Sequence, residues 1–366
     1  MENNQTLKLD YIDTIRGTAI LSVLCVHCSQ YGESLNGLFE VIVRQGAKGV
    51  QLFFIASAFT LFLSMWRRKG KEEKILLYFS RRFFRIAPMY WIALVYFSIQ
   101  NDYWNKDDIF GFFVTNLTFT HGFFPKYFNS IVPGGWSIAV EMTFYLMVPF
   151  LFSRIKSYRS AVIFTALACS IHIFTICIIK ILVPSFEIYS DYDFYFNHYI
   201  ISSIPVFSFG ICFFYIIKEN ISFEGMTTLF IISLIASVIL FILKVDYLYI
   251  IISFVFVLFS VLLARGYVSC MKNVLLMYIG KVSYSLYLVH FAVLFWLEKL
   301  DLVDYGFTKS NKIDFFVRLV LVLLFSVPVA ALFYKFVEVP VQKIGNKMTK
   351  HYFDKRLDGK VIKSNV

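Results

Sequence analysis

The chain has 366 residues, of which 58% are hydrophobic and only 16% charged, and its mean hydropathy is +0.68. A soluble domain carries roughly a quarter charged residues, so this composition excludes one and points to a polytopic membrane protein. The net charge of +11 comes with no RNA- or DNA-binding pattern; it reads as a topology signal plus attraction to anionic headgroups, and no nucleic-acid partner is expected.

Apolar runs long enough to cross the ~30 Å hydrocarbon core recur along the chain. Spans are predicted near 10–30, 46–66, 85–101, 135–153, 160–183, 198–217, 226–244, 247–264, 274–297 and 315–337. The expected fold is therefore all-α, with about ten transmembrane helices. The stretch 102–134 stands apart: its Phe112–Phe124 segment is apolar but short, and suits an interfacial or re-entrant loop.

Orientation follows from Lys and Arg. With both termini cytoplasmic, most of the 35 Lys+Arg fall inside, eight of them in Arg67–Arg85 and eight from Lys335 onward. Residues 1–340 read as one membrane domain and 341–366 as a basic cytoplasmic tail. The first span carries Arg16 and lacks a small-residue cleavage site, so it is expected to be retained. The six cysteines fall in spans or on the inner side, where no disulfide framework is expected. Asn116-Leu117-Thr118 matches a glycosylation sequon, a three-residue match too common to carry weight.

In the first span Arg16 and His27 are eleven residues apart, near three helical turns, and share a face at different depths. Such ionisable groups usually face an internal cavity and carry function; the bland alternative for His27 is a hydrogen bond to a neighbouring helix. Cys25, His27 and Cys28 lack a second ligand cluster, so no metal is expected. In the second span Gln51 precedes Ala56, Ser57 and Ala58, small residues that permit close helix approach.

Arg82 and Arg85 stand at i and i+3 where the chain re-enters the apolar phase, followed by Pro88. Two guanidinium forks on one face suit bidentate phosphate recognition, whereas Arg67, Arg68, Lys69 and Lys71 read as plain anchoring. The fourth span opens with Trp136 and carries Ser137, Glu141 and Tyr145 at spacings of four, a polar stripe on an apolar helix. Counted along a straight helix, Glu141 reaches a depth similar to that of His27. A carboxylate there pairs with a cation, Arg16 for example, or serves proton transfer. In the ninth span Gly280, Ser283, Tyr287 and His290 fall on one face of a continuous helix. His121, His172, His198 and His351 read as structural or surface residues.

These segments, in this order, resemble the membrane acyltransferase family of type three, which O-acylates bacterial surface polysaccharides. The resemblance rests on Asp13-x-x-Arg16-Gly17 through His27, on Arg82-Phe83-Phe84-Arg85-Ile86 with Pro88, and on Trp136-Ser137 through Glu141 to Phe144-Tyr145. Ser283-Tyr284-Ser285-Leu286-Tyr287-Leu288 with His290 and then Glu338-Val339-Pro340 complete it. Thr14 and Ala58 replace glycines common in the family, and Gln51 stands where many members carry Asp. The chain resembles the stand-alone members that lack a hydrolase-like outer domain.

The resemblance implies a multi-pass protein of the bacterial inner membrane. It implies acyl-CoA, usually acetyl-CoA, as co-substrate, no permanently bound cofactor, and a surface or lipid-linked glycan as acceptor. Arg82 and Arg85, with Arg16, would hold the donor's phosphates. His27 would deprotonate the acceptor hydroxyl, oriented by Glu141, and Tyr287 or Ser283 would donate to the oxyanion. Trp136, Ser137, Tyr145 and His290 would support the substrate. Membrane lipids are expected partners, and a homo-oligomer is compatible with the sequence. Two rival classes remain: a proton-coupled transporter of a sugar or anion, and a non-catalytic subunit of polysaccharide assembly. A transporter of that kind often shows matching halves, yet Arg16 and His27 have no counterpart near the sixth span.

Overall fold

The computed structural model describes residues 9–32, 34–68, 75–182, 190–246, 248–302, 308 and 310–349, the side chains of 190–193 excepted. Every regular element among them is helical. In chain order these are α1 (Asp10–Cys28), α2 (Gly37–Arg44), α3 (Gly49–Arg67), α4 (Ile75–Gln100), α5 (Ile109–Leu117), α6 (Gly135–Arg154) and α7 (Tyr158–Leu182). Then follow α8 (Ser190–His198), α9 (Ile200–Lys218), α10 (Thr227–Ile242), α11 (Leu248–Arg265), α12 (Val274–Lys281), α13 (Ser283–Lys299) and α14 (Asn311–Phe333).

Seven helical segments are long and apolar enough to cross a membrane, and the bent α12–α13 pair makes an eighth. The ten expected spans all fall on helices, but α1 and α4 do not join that set. The reason is chemical: Asp10, Asp13 and Arg16 sit in α1, and Arg81, Arg82 and Arg85 in α4, and such groups lower apolarity.

The ninth predicted span is not one helix. It breaks at Val282, and α12 and α13 meet at 80°. Asn273 starts α12 by accepting from the Leu276 N–H at 2.8 Å. Gly280, near its end, lies directly against the backbone of α1: a Cβ there would collide with the Asp13 carbonyl and come within 2.9 Å of the Gly17 nitrogen. Gly17 in turn faces the Leu276 carbonyl. Two glycines thus allow α1 and α12 to touch backbone to backbone. Gly280 therefore shares no helical face with Ser283, Tyr287 and His290, and its part is packing.

A second close approach joins α3 to α9. Ala56 and Ala58 are fully buried, and a Cβ on Gly210 would stand 2.7 Å from the Ala58 Cβ. Helix α9 is buried almost from end to end, Ser202 to Ile216, and forms the aromatic spine of the bundle. Phe207 stacks on Phe144 at 3.9 Å and on Phe54 at 4.4 Å. By contrast α10 exposes Phe230, Ile231, Leu234, Ile235, Val238 and Phe241, as a lipid-facing helix does.

The stretch 102–134 forms α5 and several short 3-10 turns. Asp108 accepts from Tyr127 Oη at 2.5 Å and pairs with Lys126, and the Lys126 bond holds its carboxyl below the usual range. Asn116 of the sequon is buried and bonded to Tyr90, Phe112 and Ser130. His121 lies within 3.1 Å of the Gly135 carbonyl and 3.3 Å of the Thr115 carbonyl, tying this loop to the start of α6, a structural role. His172 is buried against the Tyr249 ring with neither nitrogen partnered. Helix α14 continues through a π-helical turn, Tyr334–Glu338, and the segment Asn311–Thr349 is helical throughout. The first residues of the predicted tail are thus helix; Thr349 Oγ1 meets Ser80 Oγ at 2.6 Å, which docks that end on the start of α4. His351 and the rest of the tail lie outside the described residues.

Candidate active site

Two cavities lie back to back in the bundle, and Val50, Phe54 and Tyr287 belong to the walls of both. The smaller, about 70 Å³, is lined by Arg16, Arg85, Glu141, Tyr145, Ser137, Ser283, Tyr284 and Ser57. We call it the arginine cavity. The larger, about 450 Å³, takes in His27, Gln30, Gln51, Trp136 and Phe291, with Lys48 and Asp246 also in its wall. We call it the histidine chamber.

Helices α1, α3, α4, α6 and α13 converge on the arginine cavity. The stripe on α6 is real: Tyr145 Oη donates to Glu141 Oε1 at 2.7 Å, one turn apart. From α3, Ser57 Oγ donates to the same oxygen at 2.5 Å. Arg16 and Arg85 feel the Glu141 charge, and Arg85 also feels Glu338. Arg82 packs its guanidinium over the Tyr78 and Tyr145 rings at 5.8 and 5.9 Å, and its Nε is buried without a partner. Glu338, in the π-helical turn, is 5% exposed and accepts from Ser285 Oγ of α13. Tyr284 Oη donates to the Ile86 carbonyl at 2.6 Å, which fixes α13 against α4 beside Arg85.

His27 closes the other side. Its Nδ1 donates to Gln30 Oε1 at 3.1 Å, so on a neutral ring Nε2 carries the free lone pair. His290 lies beside it with ring centroids 5.3 Å apart, and the Phe291 ring packs at a tilt against both. His290 is 0% exposed; its Nδ1 donates to the Leu286 carbonyl at 3.1 Å and its Nε2 has no partner. Trp136 forms an aromatic wall with Phe54, Phe128, Phe194 and His198.

The wall between the cavities is pinned at its polar end. Tyr287 Oη donates to the Gly134 carbonyl at 3.0 Å and lies 3.0 Å from Ser137 Oγ, which itself reaches Gly134 at 2.9 Å. Gly134 has φ +72°, and a Cβ there would strike Tyr287 Oη. The loop before α6 needs a glycine for both reasons.

Of the residues singled out from the sequence, Arg16, Arg85, Ser137, Glu141, Tyr145, Ser283 and Tyr287 line the arginine cavity and His27, Trp136 and Tyr287 the histidine chamber, while Arg82 and His290 pack behind these walls, and the pairing is not the expected one. No hydrogen bond joins Glu141 to His27. Glu141 faces the arginines, and the histidine's neighbours are Gln30, His290 and Phe291. Ser57, Ser285, Tyr284 and Gln51 also belong here. Ser57 read as a packing residue and Gln51 only as a departure from a family pattern; neither spacing nor polarity along one helix marks them. Glu338 had a signal, its place in the Glu-Val-Pro run. Among the described residues no three His, Cys, Asp or Glu side chains converge.

Comparison with known proteins agrees with this architecture. Residues 9–335 match a family profile described as an acyltransferase domain. The chain belongs to acyltransferase family 3, and is a polytopic membrane acyltransferase. No curated protein and no solved structure matches it.

Proposed function

We propose that the chain moves an acyl group, acetyl above all, from a cytoplasmic acyl-CoA to a hydroxyl of a cell-surface or lipid-linked glycan. It works in the inner membrane of a bacterium, with both termini in the cytoplasm. The observation that carries this reading is the pair of cavities sharing Tyr287: cations on one side, a free imidazole nitrogen on the other. A donor with phosphates and an acceptor with a hydroxyl need those two surroundings, separated by no more than a side chain.

The donor enters on the arginine side. Arg82 and Arg85, on adjoining turns of α4, offer forks for its phosphates, and Arg16 adds a third cation. A cavity of about 70 Å³ has room for a few waters. It fits the thioester end with a short acyl chain and excludes a long one, which favours acetyl. Glu141, held by Ser57 and Tyr145, keeps the arginines spaced and ordered between turnovers.

The acceptor enters from the opposite side, through the histidine chamber. Its hydroxyl gives its proton to His27 Nε2 while its oxygen attacks the thioester carbonyl carbon. The C–S bond breaks as the oxyanion collapses, and the imidazolium returns the proton to the leaving thiolate. Tyr287, where the cavities meet, and Ser283, on the arginine side, supply hydrogen bonds to the oxyanion. Gln30 holds the His27 tautomer that makes Nε2 the base.

The test compares wild type with His27→Ala and Arg85→Ala in host cells, measuring acetyl esters on purified surface glycan. Loss of esters in both variants at unchanged protein level is the expected result. Ester content unchanged even in a full deletion would refute glycan acetylation and advance a transport role.

A further inference from the structure

The histidine chamber is larger than catalysis at His27 requires, and its wall has a distinct chemistry. Of Asp, Glu, Lys and Arg, the described residues of that wall include Lys48 and Asp246 alone, and these two form an ion pair with each other. Among the described residues, therefore, the chamber offers a ligand no uncommitted Asp, Glu, Lys or Arg. It does offer uncommitted hydrogen-bonding groups. Gln51 Oε1 is buried and has no partner, and Tyr249, 7% exposed, has a buried hydroxyl with no partner. Both residues line the chamber. They come from different helices, α3 and α11, so a single local distortion explains neither.

Buried polar atoms are normally satisfied, and leaving one unsatisfied destabilises the fold. Two on one cavity wall, beside a base with a free lone pair, mark the surface a bound molecule would satisfy. The amide oxygen accepts, and the phenol both donates and accepts. Hydroxyl groups answer both. Trp136 and Phe291 add flat apolar faces to the same chamber, which suit the C–H face of a pyranose ring. A volume of about 450 Å³ lies within the usual range for small-molecule sites and admits one or two such rings.

We propose that the histidine chamber binds an uncharged glycosyl group, with Gln51 and Tyr249 reading hydroxyls other than the one that reacts. The proposal rests on the acyltransferase reading, in which His27 marks the reacting hydroxyl. It goes further by fixing the acceptor's charge. A uronic acid or phosphorylated sugar would bring an anion into a chamber whose one described Lys is already paired, so that it would compete with the Asp246 carboxylate for Lys48 and meet its like charge.

The experiment measures binding, without turnover, to the full-length protein in lipid nanodiscs. Saturation-transfer NMR would follow methyl galactoside, methyl rhamnoside and methyl N-acetylglucosaminide against methyl galacturonoside. Wild type is expected to bind at least one neutral glycoside and to bind the galacturonoside at least tenfold more weakly. Gln51→Leu should weaken the neutral ligand at least tenfold, and Tyr249→Phe a few-fold. Gln51→Met, of similar length and flexibility, repeats the test if the leucine variant does not fold, and acetyl-CoA consumption by wild type is followed in parallel. Equal binding of the galacturonoside, no binding of any neutral glycoside, or unchanged affinity in a folded Gln51 variant overturns the proposal. Neutral-sugar binding that depends on Gln51, in a protein that consumes no acetyl-CoA, would support the chamber's chemistry and overturn the transfer reading instead.

Discussion

The arginine cavity and the histidine chamber share a wall of three side chains and differ in how their polar groups are held. On the arginine side the carboxylates are fixed by hydroxyls, Glu141 by Ser57 and Tyr145 and Glu338 by Ser285, within the electrostatic reach of Arg16 and Arg85, and only the Arg82 Nε is left open. On the histidine side Gln51 Oε1, Tyr249 Oη and His290 Nε2 are left open. Unpaired charge in a low-dielectric interior costs far more than an unmatched neutral group, so a bundle that keeps arginines in a span must supply carboxylates with them. The neutral chamber is under no such constraint and can hold open positions for a ligand. One end is organised before the substrate arrives; the other is completed by it.

The largest effect should come from breaking the organised side. Glu141→Ala removes the carboxylate two arginines lean on and leaves the Ser57 and Tyr145 hydroxyls without their acceptor. A buried polar group left unsatisfied costs about 1–3 kcal/mol. We expect acyl transfer to fall at least ~100-fold and thermal stability in detergent to drop with it. Glu141→Gln, which keeps the shape and an acceptor oxygen, should recover most of the stability and little of the activity. Neutral-glycoside binding should hold in Glu141→Gln. If that binding is lost too, the two cavities are not independent and the contrast between them fails.

A smaller loss is expected at Glu338. Its charge acts on Arg85, but Ser285 rather than an arginine donates its hydrogen bond. Glu338→Gln retains an acceptor for Ser285 and deletes the charge, so it isolates the electrostatic part. Acetyl-CoA KM should rise roughly tenfold, the equivalent of about 1.4 kcal/mol, with acceptor KM unchanged. Glu338→Asp should restore part of the loss, since the charge returns on a shorter arm. A change in acceptor KM instead would place Glu338 outside the donor side. The π-helical turn that carries it is a feature often met at functional sites.

The unequal legibility of the two sides has a physical basis. The arginine side could be read because its residues are ionisable and sit in apolar helices, where each one stands out: Arg16, Arg82, Arg85 and Glu141 are all visible, and the spacing of Glu141 and Tyr145 puts them on one face, where the structure bonds them. What could not be read was depth. Counting along a straight helix placed Glu141 level with His27, yet the loop before α6 and the 80° break between α12 and α13 redistribute the side chains between two cavities. That break was hidden because Gly280-Lys281-Val282 is apolar enough to continue a span, and only the contact of Gly280 with α1 explains it. Ser57 meets Glu141 across 84 residues of sequence, and Ser285 meets Glu338 across 53, separations that no local pattern encodes. On the neutral side Gln51 and Tyr249 are ordinary polar residues near helix starts. Their significance is the lack of a partner, a property of the folded chain.

The smallest effect is expected at the shared wall, and it is the most informative about how the sides communicate. Tyr287→Phe removes one hydroxyl that donates to the Gly134 carbonyl and meets Ser137 Oγ, while the ring still separates the cavities. Ser137 still donates to Gly134, so the loop before α6 keeps a tie to the bundle. A single neutral hydrogen bond contributes about 0.5–1.5 kcal/mol, which corresponds to a roughly three- to tenfold change. If Tyr287 only pins the wall, Tyr287→Phe and Ser137→Ala should each lower kcat by a similar small factor, with the double variant close to either alone. If Tyr287 also bonds the oxyanion, Tyr287→Phe should exceed Ser137→Ala by at least tenfold in kcat, with both KM values unchanged. The ratio of the two single variants therefore separates a partition from a catalytic group, using substitutions that leave both cavities' volumes nearly as they are.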